Sequence, residues 1–229
     1  MQDPFLDLKV AISNVRFAEY ARTASNDAEA LARYVWNARL CEALYPALLH
    51  VEVALRNNLH NAISARFPTG PWVDVPCWMD LTAPILEADE IKEVNKAKWR
   101  LKEKGRPLEV GRMVAELNFG FWNSLLDVRY ERSNILWPHL LQDVFPNIPK
   151  RDRKRKVVST RVNKIRHLRN RVFHYEPIWH WMDLMAQHEA LVETVGWLST
   201  DLLILTRAVD RFDDVFHETW NRHATGVLG

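Results

Sequence analysis

Residues 152–173 read DRKRKVVSTRVNKIRHLRNRVF. At about 100° per residue, Val158, Val162, Ile165 and Val172 fall on one narrow helical face. That 3.6-residue period, rather than the two-residue alternation of a half-buried strand, sets the fold class as helical. Arg169 breaks the pattern, because it falls within the apolar face. A guanidinium there cannot deprotonate and is costly to bury without a partner. Asn170 and His174, four apart, share an adjoining face near the helix end that Pro177 imposes.

A second segment, residues 47–67, carries the matching anomaly. Leu48, Val51, Leu55 and Leu59 form its apolar face, and Glu52 lies within that face. Arg56 and His60 follow at four-residue steps along the flank, with Asn57 beside them. A carboxylate on a core face also needs a partner. Arg56 is the local one and Arg169 the long-range one. If the two helices pack together, a single contact resolves both anomalies. A buried ion pair that only sets helix register accounts for the same pattern without chemistry.

The rest of the chain reads the same way. Gly is scarce, and Ala/Leu/Arg/Glu-rich stretches dominate. Ser25-Asn26-Asp27, with Glu29 behind, predicts a helix cap before Ala28. Pro46 predicts a kink or split, and Pro68 to Pro71 a stop. Trp72 to Ala83 reads as an aromatic connection. Further helices are expected over 84–104, 108–128, 135–144, 152–173 and 181–212, with Gly105-Arg106-Pro107 as a break. The fold expected is an all-α, HEPN-like helical bundle of one domain. Its parts are an N-terminal helix over 1–26, the helical domain over 27–213 and a fraying tail over 214–229.

The 229 residues are 48% hydrophobic with only seven glycines, which excludes collagen-like and low-complexity classes. No apolar run approaches the roughly 20 residues of a membrane span. Met1-Gln2-Asp3-Pro4 has neither a basic nor an apolar leader region, so no signal peptide is expected. Cys41 and Cys77 make no disulfide framework, and His167, His180 and His188 lack ligand spacing with acids on a shared face. The expectation is a cytoplasmic protein of a reducing compartment, with no cofactor, no metal site and no membrane. Trp72, Trp78, Trp122, Trp137, Trp179, Trp181 and Trp197 read as core and helix-packing anchors. For Trp179 or Trp181, beside the basic segment, the alternative is a stacking platform for bases.

Charge is concentrated in one place. Residues 150–171 hold eleven of the 31 Lys and Arg against Asp152 alone, a local net of +10 in a chain of net +2. The remainder therefore carries −8. Focused positive charge on an otherwise acidic protein favours a polyanion partner. The phosphate-tracking candidates are Lys150, Arg151, Arg153, Lys154, Arg155, Lys156, Arg161, Lys164, Arg166 and Arg171.

The string Ile165-Arg-His-Leu-Arg-Asn-Arg-Val-Phe-His-Tyr-Glu-Pro177 resembles the motif of Abi-like (abortive infection) proteins, and Arg169 to His174 is similar to the Arg-polar-spacer-His signature of HEPN ribonucleases. Glu52-Val-Ala-Leu-Arg-Asn57 and Leu117-Asn-Phe-Gly-Phe-Trp122 resemble two other elements of that family, in the same order. The resemblance spans about residues 30–205 and implies a helical bundle, often a homodimer whose paired motifs form one cleft. It implies metal-independent RNA cleavage by a growth-arresting antiphage toxin, restrained by a cognate antitoxin of protein or RNA. The implied catalytic residues are Arg169, Asn170 and His174, supported by Glu52, Arg56, Asn57 and Tyr175. His174 suits acid–base work near neutral pH, and Arg169 suits phosphorane charge. Attack by the 2′-hydroxyl leaves 2′,3′-cyclic phosphate and 5′-hydroxyl ends. Two alternatives stand beside this: a non-catalytic RNA-binding or adaptor domain, and a scaffold that binds no nucleic acid.

Overall fold

The structure, a computed structural model, describes residues 6–68, 78–80 and 85–218. Trp72, Cys77, the Met1–Pro4 leader reading and residues 219–229 of the expected tail lie outside them. Every regular element among the described residues is helical. In chain order the α-helices are α1 (Leu6–Ile12), α2 (Asn14–Ala21), α3 (Asp27–Arg66), α4 (Ala88–Glu103), α5 (Val110–Glu116) and α6 (Phe119–Ser124). They continue with α7 (Arg129–Arg132), α8 (Leu141–Val144), α9 (Arg155–Phe173), α10 (Leu184–Leu198), α11 (Thr200–Val209) and α12 (Phe212–Glu218). None is long and apolar enough to cross a membrane.

The forty-residue helix α3 is the axis of the molecule. Helices α2, α10, α11 and α12 pack along it, and α5, α6, α8 and α9 also touch it. Its start is capped from both directions: Asn26 Oδ1 accepts from the Glu29 amide at 2.9 Å, and the Ser25 amide donates to Glu29 Oε2 at 2.8 Å. Pro46, where the sequence predicts a kink or a split, does not split it. An interior proline costs about 3 kcal/mol, but Leu40, Leu44, Leu48, Val51 and Leu55 on either side are buried. Each contributes roughly 1.5–3 kcal/mol on burial, so packing outweighs the lost backbone bond.

Elsewhere polar caps divide stretches that apolar periodicity ran together. Residues 108–128 hold two helices rather than one. Leu117 is extended, and Asn118 Oδ1 accepts from the Phe121 amide at 3.0 Å to start α6. Gly120 allows this close approach, since a Cβ there would stand 3.0 Å from Asn118 Oδ1. The stretch 181–212 is likewise broken at Ser199, whose Oγ accepts from the Leu202 amide at 3.2 Å to begin α11. Within 135–144 only Leu141–Val144 is α-helical. The basic helix begins at Arg155, since Lys154 is extended after a 3₁₀ turn over Lys150–Asp152. The N-terminal segment holds two helices, divided at Ser13, instead of one. Asp214 to Glu218, expected in the tail, belong to α12, and Phe212 and Val215 bury against the main core.

Candidate functional site

Helix α9 buries Val158, Val162, Ile165, Leu168 and Val172 against α6, α10 and α3. In its C-terminal half the buried positions are Ile165, Leu168 and Val172. Arg169 therefore stands at the edge of the stripe, half-buried, and not at its centre as the wheel suggested. Of the two arginines available to Glu52, it is Arg169 that meets it, with Nε 3.3 Å from Glu52 Oε2. The two side chains are 27% and 22% exposed. The guanidinium also lies 4.3 Å from the centroid of the Phe173 ring, a cation–π contact within its own helix. Arg56 takes no part: it has no ion-pair partner among the described residues, and its Nε is buried without an acceptor. Asn57 is exposed on α3.

Asn170 and His174 lie roughly 100° and 140° round the helix from Arg169. Asn170 is half-buried, and His174, the residue that ends α9, is exposed. Among the described residues neither side chain has a hydrogen-bond or ion-pair partner. Two polar groups one turn apart are thus presented to solvent at the end of a basic helix. The implied triad is brought to one helix end, but Arg169 is turned toward α3 while the other two face out.

The helix terminus itself is unusual. The Glu176 amide donates to Arg171 O at 2.9 Å and the Tyr175 amide to Val172 O at 3.2 Å, the paired bonds of a Schellman cap. Helix α4 ends with the same pair of bonds, and there the left-handed position is Gly105, at φ 60°. In α9 it is Tyr175, at φ 57° and 72% exposed. The left-handed conformation costs a non-glycine residue about 1–2 kcal/mol. A bulky aromatic held there without burial is the kind of local strain that collects at functional positions.

The ten phosphate-tracking candidates divide by residue type. Arginines mostly hold the fold. Arg155 binds Glu131 at 2.8 Å and Leu126 O at 3.1 Å, and its side chain is only 10% exposed. Arg161 binds Glu193 and Ala190 O, Arg153 donates to Ile148 O, and Arg171 pairs with Glu176. Arg151 is exposed beside Asp152. Lys150, Lys154, Lys156, Lys164 and Arg166 are exposed and, among the described residues, unpaired. The planar guanidinium fork is suited to several fixed acceptors at once, whereas a lysine keeps its compact charge in water. The surface available to a polyanion is therefore lysine-dominated and smaller than the sequence count suggests.

Sequence reasoning missed a cavity of about 600 Å³ beside Tyr175. Its walls come from the end of α9, from α3 and from Tyr20 of α2. Tyr34, Ala38, Cys41 and Tyr45, at spacings of four, three and four, are a stripe down one face of α3 that periodicity alone could have marked. The Tyr45 ring lies 5.7 Å from that of Phe173. Burial holds the Tyr20 phenol protonated, well above its ordinary range, and pushes the Cys41 thiol up to about 11.

Four other histidines have structural partners. His60 Nδ1 accepts from Trp78 Nε1 at 3.1 Å, and burial lowers its pKa. His50 pairs with Thr206, and His188 with Asp210 at 2.9 Å. The His167 ring is stacked on Trp181 at 5.9 Å, and Trp179 is stacked on Tyr20 at 6.5 Å. Trp78, Trp122, Trp137 and Trp197 are buried. No group of three or more His, Cys, Asp or Glu side chains among the described residues is placed to hold a metal. The chain matches no protein-family model, no curated protein and no solved structure.

Proposed function

We propose that this chain is a metal-independent endoribonuclease of the HEPN type, acting as a growth-arresting antiphage effector. The observation that carries the reading is the end of α9. There Asn170, next to Arg169, and His174, one turn further on, present unpartnered polar side chains on a helix whose lysines are unpaired. In the reaction, a base removes the proton of the RNA 2′-hydroxyl and O2′ bonds to the adjacent phosphorus. The bond to O5′ breaks, and O5′ takes a proton. One His174 serves one of these transfers, and His174 of a second copy in a homodimer serves the other. Asn170 holds the phosphate by hydrogen bonds, and Arg169 offsets charge on the equatorial oxygens. Lys150, Lys154, Lys156, Lys164 and Arg166 track the backbone without reading sequence. DNA lacks the nucleophile and resists. A toxin of this kind needs a restraining antitoxin, protein or RNA.

A specific observation favours a second reading. Arg169 is engaged by Glu52 and Phe173 rather than facing His174, as suits a domain that binds RNA without cleaving it. The deciding experiment is incubation of mixed RNA with purified protein in excess EDTA, with His174→Ala alongside and analysis of the ends. Cleavage that leaves cyclic phosphates and vanishes in the variant is the expected result. Intact RNA with a salt-sensitive gel shift overturns the enzyme in favour of the binding module; intact RNA with no shift overturns both.

A further inference from the structure

The cavity beside Tyr175 has the chemistry of a base-binding pocket. Five aromatic side chains line it: Tyr20, Tyr34, Tyr45, Phe173 and Tyr175. Tyr20 is fully buried, and its hydroxyl has no hydrogen-bond partner among the described residues, so the wall holds one unsatisfied buried polar group. The remaining polar lining is already committed or neutral. Asn37 Oδ1 accepts the amides of Ile178 and Trp179, Glu42 is paired with Arg211 at 2.8 Å, and Cys41 is a protonated thiol. The pocket thus offers aromatic faces and the hydroxyls of four tyrosines, of which only that of Tyr20 is buried, with no unpaired charge. A cation stands just outside it: Arg169 lies over one end of a row that runs through Phe173 to Tyr45. Tyr175, held in the left-handed position that Gly105 fills in α4, adds an exposed ring to the wall.

We infer that this cavity takes one unstacked nucleobase of a single-stranded RNA, with the neighbouring phosphate held at Arg169. A flat, neutral ring with hydrogen-bonding edges on an anionic backbone matches an aromatic pocket bearing tyrosine hydroxyls, with an arginine at its mouth. The volume lies within the usual range for small-ligand pockets. The inference rests on the RNA reading above and adds to it a subsite that decides which nucleotide is engaged.

The test uses the full chain carrying His174→Ala, so that RNA stays intact, and three labelled 12-nucleotide strands: oligouridylate, oligoadenylate and an abasic ribose-phosphate strand. All three present the same phosphates to the lysines of α9. Binding is read by fluorescence anisotropy at fixed salt. At least one base-bearing strand is expected to bind tenfold or more tighter than the abasic strand. Ala38→Trp, at an exposed position in the wall, is expected to reduce that strand to the abasic level and leave abasic binding unchanged. Tyr20→Phe, which removes only the unpartnered hydroxyl, is expected to narrow the difference between adenine and uracil by about tenfold. Equal binding of base-bearing and abasic strands, or an advantage that survives Ala38→Trp, overturns the pocket while the RNA reading stands. Failure of all three strands to bind overturns the RNA reading and the pocket with it. A change of sedimentation mass in Ala38→Trp assigns this face to contact between copies, and also overturns the pocket.

Discussion

The Glu52–Arg169 contact separates a scaffold from a site. At 27% and 22% exposure the two side chains lie between the surface pair, worth about 0–1 kcal/mol, and the buried pair, whose breaking costs about 3–5 kcal/mol. The single Nε–Oε2 contact at 3.3 Å is long for a charge-assisted bond, which places the pair toward the weaker limit. The cation–π contact with Phe173 adds about 0.5–1 kcal/mol. Arg169→Ala is therefore expected to cost about 2 kcal/mol, and the melting temperature of a chain this size to fall by roughly 4–8 °C. The assay is a double-mutant cycle in urea with Glu52→Gln, in which the coupling should be about 1 kcal/mol. Arg169→Lys keeps the charge but loses the planar fork. It should recover part of the stability and none of the RNA cleavage. A coupling near zero refutes the contact. An Arg169→Ala chain that does not fold refutes the weighing and leaves the pair as a strut. Wild-type cleavage by Arg169→Lys refutes a role at the phosphate.

Tyr175→Gly relieves the left-handed backbone by about 1–2 kcal/mol, against about 0.5–1 kcal/mol of added unfolded-state freedom. A chemical melt should show unchanged or slightly raised stability, and a loss above about 1 kcal/mol contradicts the strain argument. Replacing Lys150, Lys154, Lys156, Lys164 and Arg166 together by Gln should flatten the dependence of RNA affinity on salt, whereas the same change at Arg155 should lower stability instead. An unchanged salt slope places the RNA elsewhere. His60 has a folded pKa below its unfolded value, so the unfolded chain binds more protons, and stability present above about pH 6.5 is lost as pH falls below it. His60→Asn should reduce that acid-side slope in melts between pH 7 and 5; equal slopes in both proteins exclude His60 as a contributor.

Much of this molecule is local information. The period of residues 152–173 makes α9 a helix wherever it sits, and the Ser25–Glu29 cap marks the start of α3 within a residue. The breaks at Leu117 and Ser199 were also written locally, in Asn118 and Ser199, but apolar periodicity masked them because both neighbours share one core. The sequence by itself therefore determined a helical chain with one basic helix, and two charges, Glu52 and Arg169, that needed partners. It could not decide which arginine Glu52 takes, because that depends on how α3 and α9 cross. It could not show that arginines of the basic helix are spent on Glu131, Glu193 and Glu176 while the lysines stay in water, because each pairing is fixed by packing geometry. Nor could it place Tyr20, Tyr45 and Phe173 around one cavity, since α2, α3 and α9 contribute to that wall from distant parts of the chain. Periodicity fixes which face of a helix is apolar; only the packing of those faces decides which polar residues remain at the edges, and it is from those edges that the candidate site is made.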